Sequence, residues 1–376
     1  MHRRTALILT GGGARAAYQA GVLAAIAKLA GKGARNPFPI ICGTSAGAIN
    51  AAGLACSADN FTRAVAMLNR VWGSMHAGDI YRADAPGIAF AGYRWLSALA
   101  VGWLTHRAPQ SLLDNTPLSL LLARHMDFSG IGRSIRSGHL HAVSITASGY
   151  DTGESISFFQ AHPEVADWHR AQRIGTRTQI GLEHLLASSA IPFVFPAVRI
   201  HREYFGDGSM RQLAPISPAI HLGAEKVLVI GAGRRREALP REKSDGYPSL
   251  AQIAGHALSS IFLDGLAVDI ERMERINRTV AAIPAAVREQ AGIQLKQLDT
   301  LVIGPSQRLD QMAAEHAAAL PWPVRALLTG VGAMNRRGGA LTSYLLFEKA
   351  YTRRLIELGY ADTLAQASAV GDFLEL

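Results

Sequence analysis

Ser45 lies where a serine hydroxyl can act as an activated nucleophile. It is the centre of GTSAG, between Gly43 and Gly47, which follows a short apolar run at 38–42 and precedes an alanine-rich stretch. A strand before a GxSxG pattern and a helix after it hold the serine on a strained turn, with its hydroxyl exposed and the two glycines leaving room for the bend. The free amides at the helix start favour developing negative charge. The pattern predicts nucleophilic acyl chemistry at Ser45.

A second glycine-rich turn also separates an apolar run from a helical pattern. Gly11, Gly12 and Gly13 are followed closely by Arg15. Consecutive glycines can offer unobstructed backbone N–H groups to an oxyanion, and Arg15 would add positive charge at the helix start. We therefore predict an oxyanion hole at the three glycines, with anion-binding support from Arg15.

The same glycines permit a different interpretation. Gly11, Gly13 and Ala16 satisfy the dinucleotide-binding fingerprint, which places phosphates on a helix start. That fingerprint needs an acidic residue about twenty positions further on, and the first acidic residue of the chain is Asp59. A nucleotide-binding protein is thus the alternative, and the missing acid argues against it.

Asp207 is the third candidate, in the segment FGDGS after an apolar run. Pairs such as Asp207-Gly208 are common in turns, so the segment alone also fits a plain turn. An aspartate with an ordinary pKa of ~3.9 is a weak base at neutral pH, and burial would have to raise that pKa for Asp207 to accept a proton from a hydroxyl. The segment by itself leaves both interpretations open.

The elements that must position these groups follow from the spacing of apolar residues. The predicted strands are 5–10, 38–42, 139–146, 155–159, 198–205, 226–230 and 300–303. The predicted helices begin near Ala16, Ser45 and Thr116 and also cover 179–189, 250–277 and 324–358. Alternating strands and helices predict an α/β fold of three layers, α/β/α, with a mainly parallel central sheet and working groups at the carboxyl ends of its strands.

The chain has 376 residues, of which 49% are hydrophobic and 18% charged, as in a globular protein with a large core. We predict a catalytic domain at 5–232, with 77–136 as a lid or interfacial insertion, and a helix-rich C-terminal part at 233–376 packed on it. The net charge of +9 suits either a nucleic acid or an acidic membrane. Two cysteines and a first apolar stretch too short for a signal peptide predict a cytoplasmic protein without a transmembrane helix, which could contact a membrane peripherally.

An apolar stripe within 77–110 is a candidate for lipid contact. It has Arg94 and Arg107 at its edges and consists of Trp95, Leu96, Leu99 and Trp103. Such a stripe is typical of interfacial helices, and a core-facing helix has the same pattern.

The three turns resemble those of the patatin-like phospholipases. That family combines a glycine-rich oxyanion loop and a basic residue, here Gly11 to Arg15, with GxSxG, here at Ser45, and a later Asp-Gly, here Asp207-Gly208. The segments 187–196 and 213–224 are also similar, so the resemblance covers about 5–230. The chain differs from the common family pattern at Ser209 and at 212–213.

The resemblance implies a Ser45–Asp207 dyad without histidine, an oxyanion held by the amides of Gly12 and Gly13, and neither metal nor cofactor. It implies hydrolysis of lipid or phospholipid carboxylic esters, of the phospholipase A or lysophospholipase type, through an acyl-enzyme. It also favours a lipid over a nucleic acid as the partner.

A Ser-His-Asp esterase is the rival within the hydrolases. His201, His221 and His256 all follow Ser45, and the last two could complete the order Ser, Asp, His with Asp207. GxSxG follows only the second predicted strand, which is earlier than the α/β-hydrolase fold usually places it.

Overall fold

A single mixed β-sheet organises the residues that the computed structural model describes, which are 3–87, 111–231, 249–293, 295–330, 332–334 and 339–376. Its strands are β1 Thr5–Leu9, β2 Ile40–Thr44, β3 Ala142–Gly149, β4 Ser155–Ala161, β5 Trp168–Arg170, β6 Arg173–Arg177, β7 Val198–Ile200, β8 Glu203–Asp207, β9 Lys226–Ile230 and β10 Asp299–Ile303. They follow the order β10-β9-β1-β2-β3-β4-β6-β5, and β8 pairs with both β3 and β7.

The centre of the sheet is parallel. Strands β10, β9, β1, β2 and β3 all run in one direction, whereas β4 and β8 run antiparallel to β3. The carboxyl ends of β1, β2 and β3 therefore meet at one edge of the sheet. The turn at Gly11–Gly13, here called the glycine loop, follows β1, and Ser45 follows β2. The topology therefore brings both turns to that edge.

Helices cover both faces of the sheet. They are α1 Ala17–Ala30, α2 Ala46–Cys56, α3 Phe61–Gly73, α4 Ala77–Ile80, α5 Thr116–His125, α6 Ser129–Arg136, α7 Leu182–Ser188, α8 Ser217–His221, α9 Leu250–Ser259, α10 Gly265–Ala282, α11 Ala285–Gln290, α12 Leu309–His316, α13 Trp322–Gly330, α14 Gly339–Leu345, α15 Lys349–Leu364 and α16 Ala367–Leu374. Along β1, Leu7 and Leu9 enter one hydrophobic core while Ala6 and Ile8 enter a second core. Successive strand residues point to opposite faces, so the sheet is buried on both sides and the predicted three-layer α/β/α fold is confirmed.

The C-terminal part shares this sheet and this core. Strand β10 pairs with β9, and α15 crosses α1 at close range. A Cβ atom on Gly21 of α1 would lie 2.0 Å from the Ile356 carbonyl oxygen, and one on Gly359 of α15 would lie 2.2 Å from the Tyr18 carbonyl oxygen. The two glycines therefore let the helix backbones touch. The expected boundary near residue 232 lies outside the described residues.

Several elements differ from the sequence-based expectation. All seven predicted strands are present, with 198–205 divided into β7 and β8, but the short and charged β5 and β6 were not predicted. A single helix over 324–358 is wrong, because the chain forms α13, α14 and α15 there. Glycines at 330, 332, 338 and 339 weaken a continuous helix in this segment.

Two segments bear on contact with a lipid membrane. The Trp95 to Trp103 stripe lies outside the described residues. Among the described helices, the stretch Ala251–Ala282 has the length and mean hydropathy of a membrane span. Phe262, Ile270 and Met273 of this stretch pack into the two cores, while 24% of its apolar window is buried. The expected absence of a transmembrane helix stays a prediction.

Candidate active site

Ser45 occupies a strained turn between β2 and α2. Its backbone has φ 56° and ψ −131°, a conformation that a residue other than glycine adopts only when its surroundings enforce it. A Cβ atom on Gly43 would lie 2.5 Å from the Gly47 carbonyl oxygen, and one on Gly47 would lie 2.2 Å from the Leu9 carbonyl oxygen. A larger residue at position 43 would push β2 away from α2, and one at position 47 would push α2 away from the end of β1.

Asp207 lies directly beside this serine. The Ser45 hydroxyl donates a hydrogen bond to Asp207 Oδ2 over 2.5 Å, although 162 positions separate the two residues. Asp207 ends β8, where it pairs with Ala147 of β3. A Cβ atom on Gly208 would lie 2.0 Å from the Thr146 carbonyl oxygen, so the Asp-Gly turn fits only because Gly208 lacks a side chain.

The surroundings of Asp207 make its carboxylate a better base than a free aspartate. The side chain is buried, and burial raises its pKa to about 6, because desolvation disfavours the charged form. Hydrogen bonds from Ser45 and Ser209 oppose part of that rise, and the Ser209 amide donates to Asp207 Oδ1 over 2.9 Å. The two carboxylate oxygens thus have different partners, and Oδ2 is the one that faces the nucleophile.

Ser188 holds the backbone of the turn at Ser45. The Ser45 amide donates to Ser188 Oγ over 2.9 Å, and that hydroxyl donates to the Thr146 carbonyl over 2.6 Å. The Ser45 amide is therefore already engaged. It is not free to donate to an oxyanion as well.

The glycine loop, Gly11–Gly13, reaches the pocket beside Ser45. Gly13 lines the same pocket as Ser45, and its φ of 55° is one that glycine adopts without strain. A 3₁₀ turn at Gly13–Ala16 then leads into α1. The predicted oxyanion loop and the predicted nucleophile therefore share one pocket, while the part played by each amide stays a prediction.

Arg15 belongs to this turn, but its side chain is directed elsewhere. It is buried, its Nε donates to Ser343 Oγ over 2.8 Å, and its guanidinium lies 4.1 Å from the centre of the Tyr344 ring. Both partners belong to α14. The expected support of an anion by Arg15 stays a prediction, and the observed contacts fasten the loop to the C-terminal part.

A buried polar network that the sequence did not reveal ties the glycine loop to α2. Asn50 donates to Gln19 Oε1 over 2.8 Å and to the Ala16 carbonyl over 3.2 Å. Gln19 donates to the Thr10 carbonyl over 2.8 Å, and the Trp72 indole donates to Asn50 Oδ1 over 2.7 Å. A lone amide residue in each of two largely apolar helices was the available signal, since buried polar groups need partners.

An apolar pocket opens beside Ser45. Its interior space is narrow, about 50 Å³, and the empty space is about 670 Å³ when the part open to solvent is included. Side chains of α2, α3 and α5 form most of the wall, including Ile49, Leu68, Leu121 and Leu122. Residues of the predicted insertion at 77–136 therefore contribute to this apolar wall.

The histidines of the rival triad lie apart from this arrangement. His221 stacks on Trp168 with ring centres 4.9 Å apart, and burial lowers its pKa to about 4. His201 and His256 are exposed. Within the described ranges, no hydrogen bond joins a histidine to Ser45 or Asp207. His125, which the sequence did not single out, lines the pocket.

One group of side chains has ligand atoms that could hold a metal ion. His141, His162 and Glu164 place these atoms within 4.8 Å of one another. The Arg4 guanidinium contacts Glu164 at 3.0 Å and His141 at 3.3 Å, and its positive charge would compete with a cation. The group lies at the start of β3, away from Ser45, and contributes nothing to the dyad.

Comparison with known proteins bears on the whole arrangement. A family model described as patatin-like phospholipase matches residues 7–220. A cGAMP-activated phospholipase from Pseudomonas aeruginosa is 29% identical over 210 residues, which are 56% of this chain and 53% of that protein. The chain thus spans about half the length of this curated relative. The crystal structure of VipD from Legionella pneumophila aligns with 95% of this chain and 67% of its own, at 11% identity and a TM-score of 0.36.

Proposed function

Since the chain belongs to the patatin-like phospholipase family, we propose that it hydrolyses lipid carboxylic esters through a Ser45–Asp207 dyad and an acyl-enzyme. The observation that carries this proposal is the 2.5 Å hydrogen bond between the Ser45 hydroxyl and the buried Asp207 carboxylate. The adjoining apolar pocket suits the acyl chain of the ester.

In the first step, Asp207 Oδ2 takes the proton of the Ser45 hydroxyl as Oγ forms a bond to the ester carbonyl carbon. The carbonyl π electrons move to its oxygen, and amides of the Gly11–Gly13 loop stabilise that oxyanion. When the tetrahedral intermediate collapses, the bond to the alcohol oxygen breaks. The departing alcohol takes the proton from Asp207, and the acyl group stays on Ser45.

Water completes the cycle. Asp207, ionised again, accepts a proton from a water molecule as the water oxygen attacks the acyl carbon. The second tetrahedral intermediate expels Ser45 Oγ, which recovers the proton from Asp207. The products are a fatty acid and an enzyme in its starting state.

The substrate class that we propose is a phospholipid or lysophospholipid. The pocket wall is almost entirely apolar beside Ser45, which suits an acyl chain, and the net charge of +9 suits an acidic lipid surface. The test is to incubate the protein with vesicles of phosphatidylcholine or phosphatidylglycerol and with lysophospholipid micelles, and to identify the products by mass spectrometry. Release of fatty acid by the wild type but not by Ser45→Ala supports the proposal. Intact lipids in every preparation would refute it.

Narrowing the pocket is expected to change the preference for chain length. Leu121 lines the pocket on α5, whereas its neighbour Leu120 is 66% exposed. Leu121→Trp should lower kcat/KM for p-nitrophenyl laurate roughly tenfold and leave the butyrate ester within about twofold, because each excluded methylene loses apolar contact. Leu120→Trp is the matched control and should leave the ratio unchanged. If the ratio of kcat/KM for the laurate ester to that for the butyrate ester is the same in the wild type and both variants, the acyl chain binds elsewhere.

The pH dependence should report the ionisation of Asp207. Only the carboxylate can accept the Ser45 proton, and burial raises the pKa of Asp207 to about 6. We therefore expect kcat/KM for p-nitrophenyl butyrate to rise tenfold per pH unit below a midpoint near pH 6 and to level off above it. Thermal unfolding measured across the same range separates this limb from acid denaturation. A midpoint near pH 4 would mean that burial does not raise the pKa of the base, and loss of the limb in Asp207→Asn would still identify that base as Asp207.

A further inference from the structure

The glycine loop is closed by residues that come from the C-terminal part of the chain. A Cβ atom on Gly11 would lie 2.7 Å from the Phe262 ring, and one on Gly13 would lie 2.3 Å from the Tyr344 carbonyl oxygen. Ser209, beside Asp207, closes on Gly11 as well, with its hydroxyl 2.5 Å from the same Cβ position. Two of the three glycines thus touch residues located after the family match, which ends at residue 220.

Tyr344 connects these contacts. It is fully buried, its ring stacks on Phe262 with centres 5.1 Å apart, and the Arg15 guanidinium lies 4.1 Å from its centre. The neighbouring Ser343 accepts a hydrogen bond from Arg15 and donates one to the Ala340 carbonyl. Tyr344 therefore contacts the loop at Gly13, braces its helical end at Arg15, and supports the ring that covers Gly11.

The conformation of the chain at Phe262 is also unusual. Residues Ser260–Asp264 form a π-helical turn between α9 and α10. Such turns widen the helix locally, and they are frequent at functional sites. Phe262 is buried against the glycine loop at this turn while its neighbours Ser260 and Asp264 are exposed.

A run of three glycines needs such external support. Glycine has more accessible backbone conformations than any other residue, so the loop cannot fix the direction of its own N–H groups. Donors stabilise an oxyanion strongly only when they are held in place before the reaction. From these contacts we propose that Tyr344 and Phe262 are positioning residues, which hold the Gly11–Gly13 loop in its oxyanion-binding shape. The inference rests on the proposed hydrolytic function, and it makes the C-terminal part a component of the catalytic machinery.

Two readouts test the role of Tyr344, and one of them does not depend on catalysis. Tyr344→Leu keeps an apolar side chain but removes the ring that contacts Arg15 and Phe262. Amide hydrogen exchange of a peptide covering residues 11–16 is expected to become at least about tenfold faster in this variant. Tyr344→Phe keeps the ring and should restore the wild-type exchange rate. Val370→Ala, at a buried position of α16, is the control for a general loss of stability.

The second readout compares the effect of the substitution on kcat with its effect on KM. Tyr344→Leu should lower kcat for p-nitrophenyl butyrate by about tenfold or more, counted per serine that a fluorophosphonate labels, because misplaced donors stabilise the oxyanion less. KM should stay within about twofold and the pH midpoint should not move, since neither the pocket nor Asp207 is altered. Tyr344→Phe should recover kcat, and Val370→Ala should leave it unchanged. Phe262→Leu, which removes the other ring, provides the same comparison if Tyr344→Leu does not fold.

Each combination of results decides a different point. Faster exchange together with a lower kcat supports the proposal. Exchange at residues 11–16 that equals the wild-type rate, or a kcat per labelled serine that equals it, overturns the proposal. A wild type that neither hydrolyses esters nor reacts with the fluorophosphonate refutes the proposed function instead, and the exchange measurement still decides whether Tyr344 holds the loop.

Discussion

Replacing Ser45 by alanine is expected to abolish ester hydrolysis, with kcat/KM falling roughly 10⁴-fold or more. Its hydroxyl is 2.5 Å from Asp207 Oδ2 and borders the apolar pocket, so it is the group placed to attack an ester there. Without the hydroxyl no acyl-enzyme can form. Hydrolysis of p-nitrophenyl butyrate should be measured together with labelling by a fluorophosphonate, which is expected to mark the wild type and not the variant.

The backbone strain at Ser45 gives an independent measurement on the same residue. Its φ of 56° and ψ of −131° cost a residue with a side chain about 1–3 kcal/mol, and glycine avoids most of that cost. Ser45→Gly should therefore be as inactive as Ser45→Ala and yet more stable by about 1 kcal/mol in urea unfolding. Persistent labelling or activity in either variant would contradict the nucleophilic role of Ser45.

Asp207→Asn is expected to have the second-largest effect, with kcat/KM falling roughly 10³-fold or more at pH 8. Asparagine has nearly the same shape as aspartate, but its amide cannot accept the Ser45 proton. The rising limb near pH 6 should disappear with it. Asp151→Asn, at an exposed position of the β3–β4 turn, is the matched control and should retain wild-type activity.

Stability measurements show whether the lower activity of Asp207→Asn comes from misfolding. A pKa raised from 3.8 to about 6 means that folded Asp207 holds a proton between those values while the unfolded chain has released it. The free energy of unfolding therefore falls as the pH rises through this window, by about 3 kcal/mol in all. Asparagine carries no charge, so the free energy of unfolding of Asp207→Asn does not fall in this pH window. Asp207→Asn should thus be at least as stable as the wild type at pH 8, with the difference shrinking toward pH 4.

The opposite outcome would point to a histidine as the base. Activity that survives Asp207→Asn but is lost in His125→Ala or His221→Ala would favour a Ser-His-Asp arrangement. His125 is the more relevant of the two, because it lines the pocket whereas His221 stacks on Trp168.

The sequence predicted the individual turns well because their requirements are local. Glycines at 43 and 47 are needed where a Cβ atom would meet backbone atoms within 2.5 Å, and the strand and helix around them follow from the apolar pattern of a few neighbouring residues. The same reasoning found β1, β9 and β10. These elements required no knowledge of distant contacts.

The sequence-based predictions were wrong or incomplete where contacts between distant segments determine the structure. The strands β5 and β6 are short and carry charged residues, and they form because β6 pairs with β4 and β5 pairs with β6. The direction of the Arg15 side chain depends on Ser343 and Tyr344, which are more than 300 positions away. Neither the spacing nor the type of nearby residues carries that information.

The sequence by itself identified the candidate groups Ser45 and Asp207, the candidate donor loop of three consecutive glycines, and the turns that carry them between predictable elements. Only the tertiary structure decided that β8 pairs with the end of β3 and so brings the Asp207 carboxylate to the Ser45 hydroxyl. It also decided that the carboxylate is buried and that the Phe262 ring and the Tyr344 backbone close on the glycine loop. Turn geometry depends on adjacent residues, whereas proximity, burial and pKa depend on segments that only packing brings together.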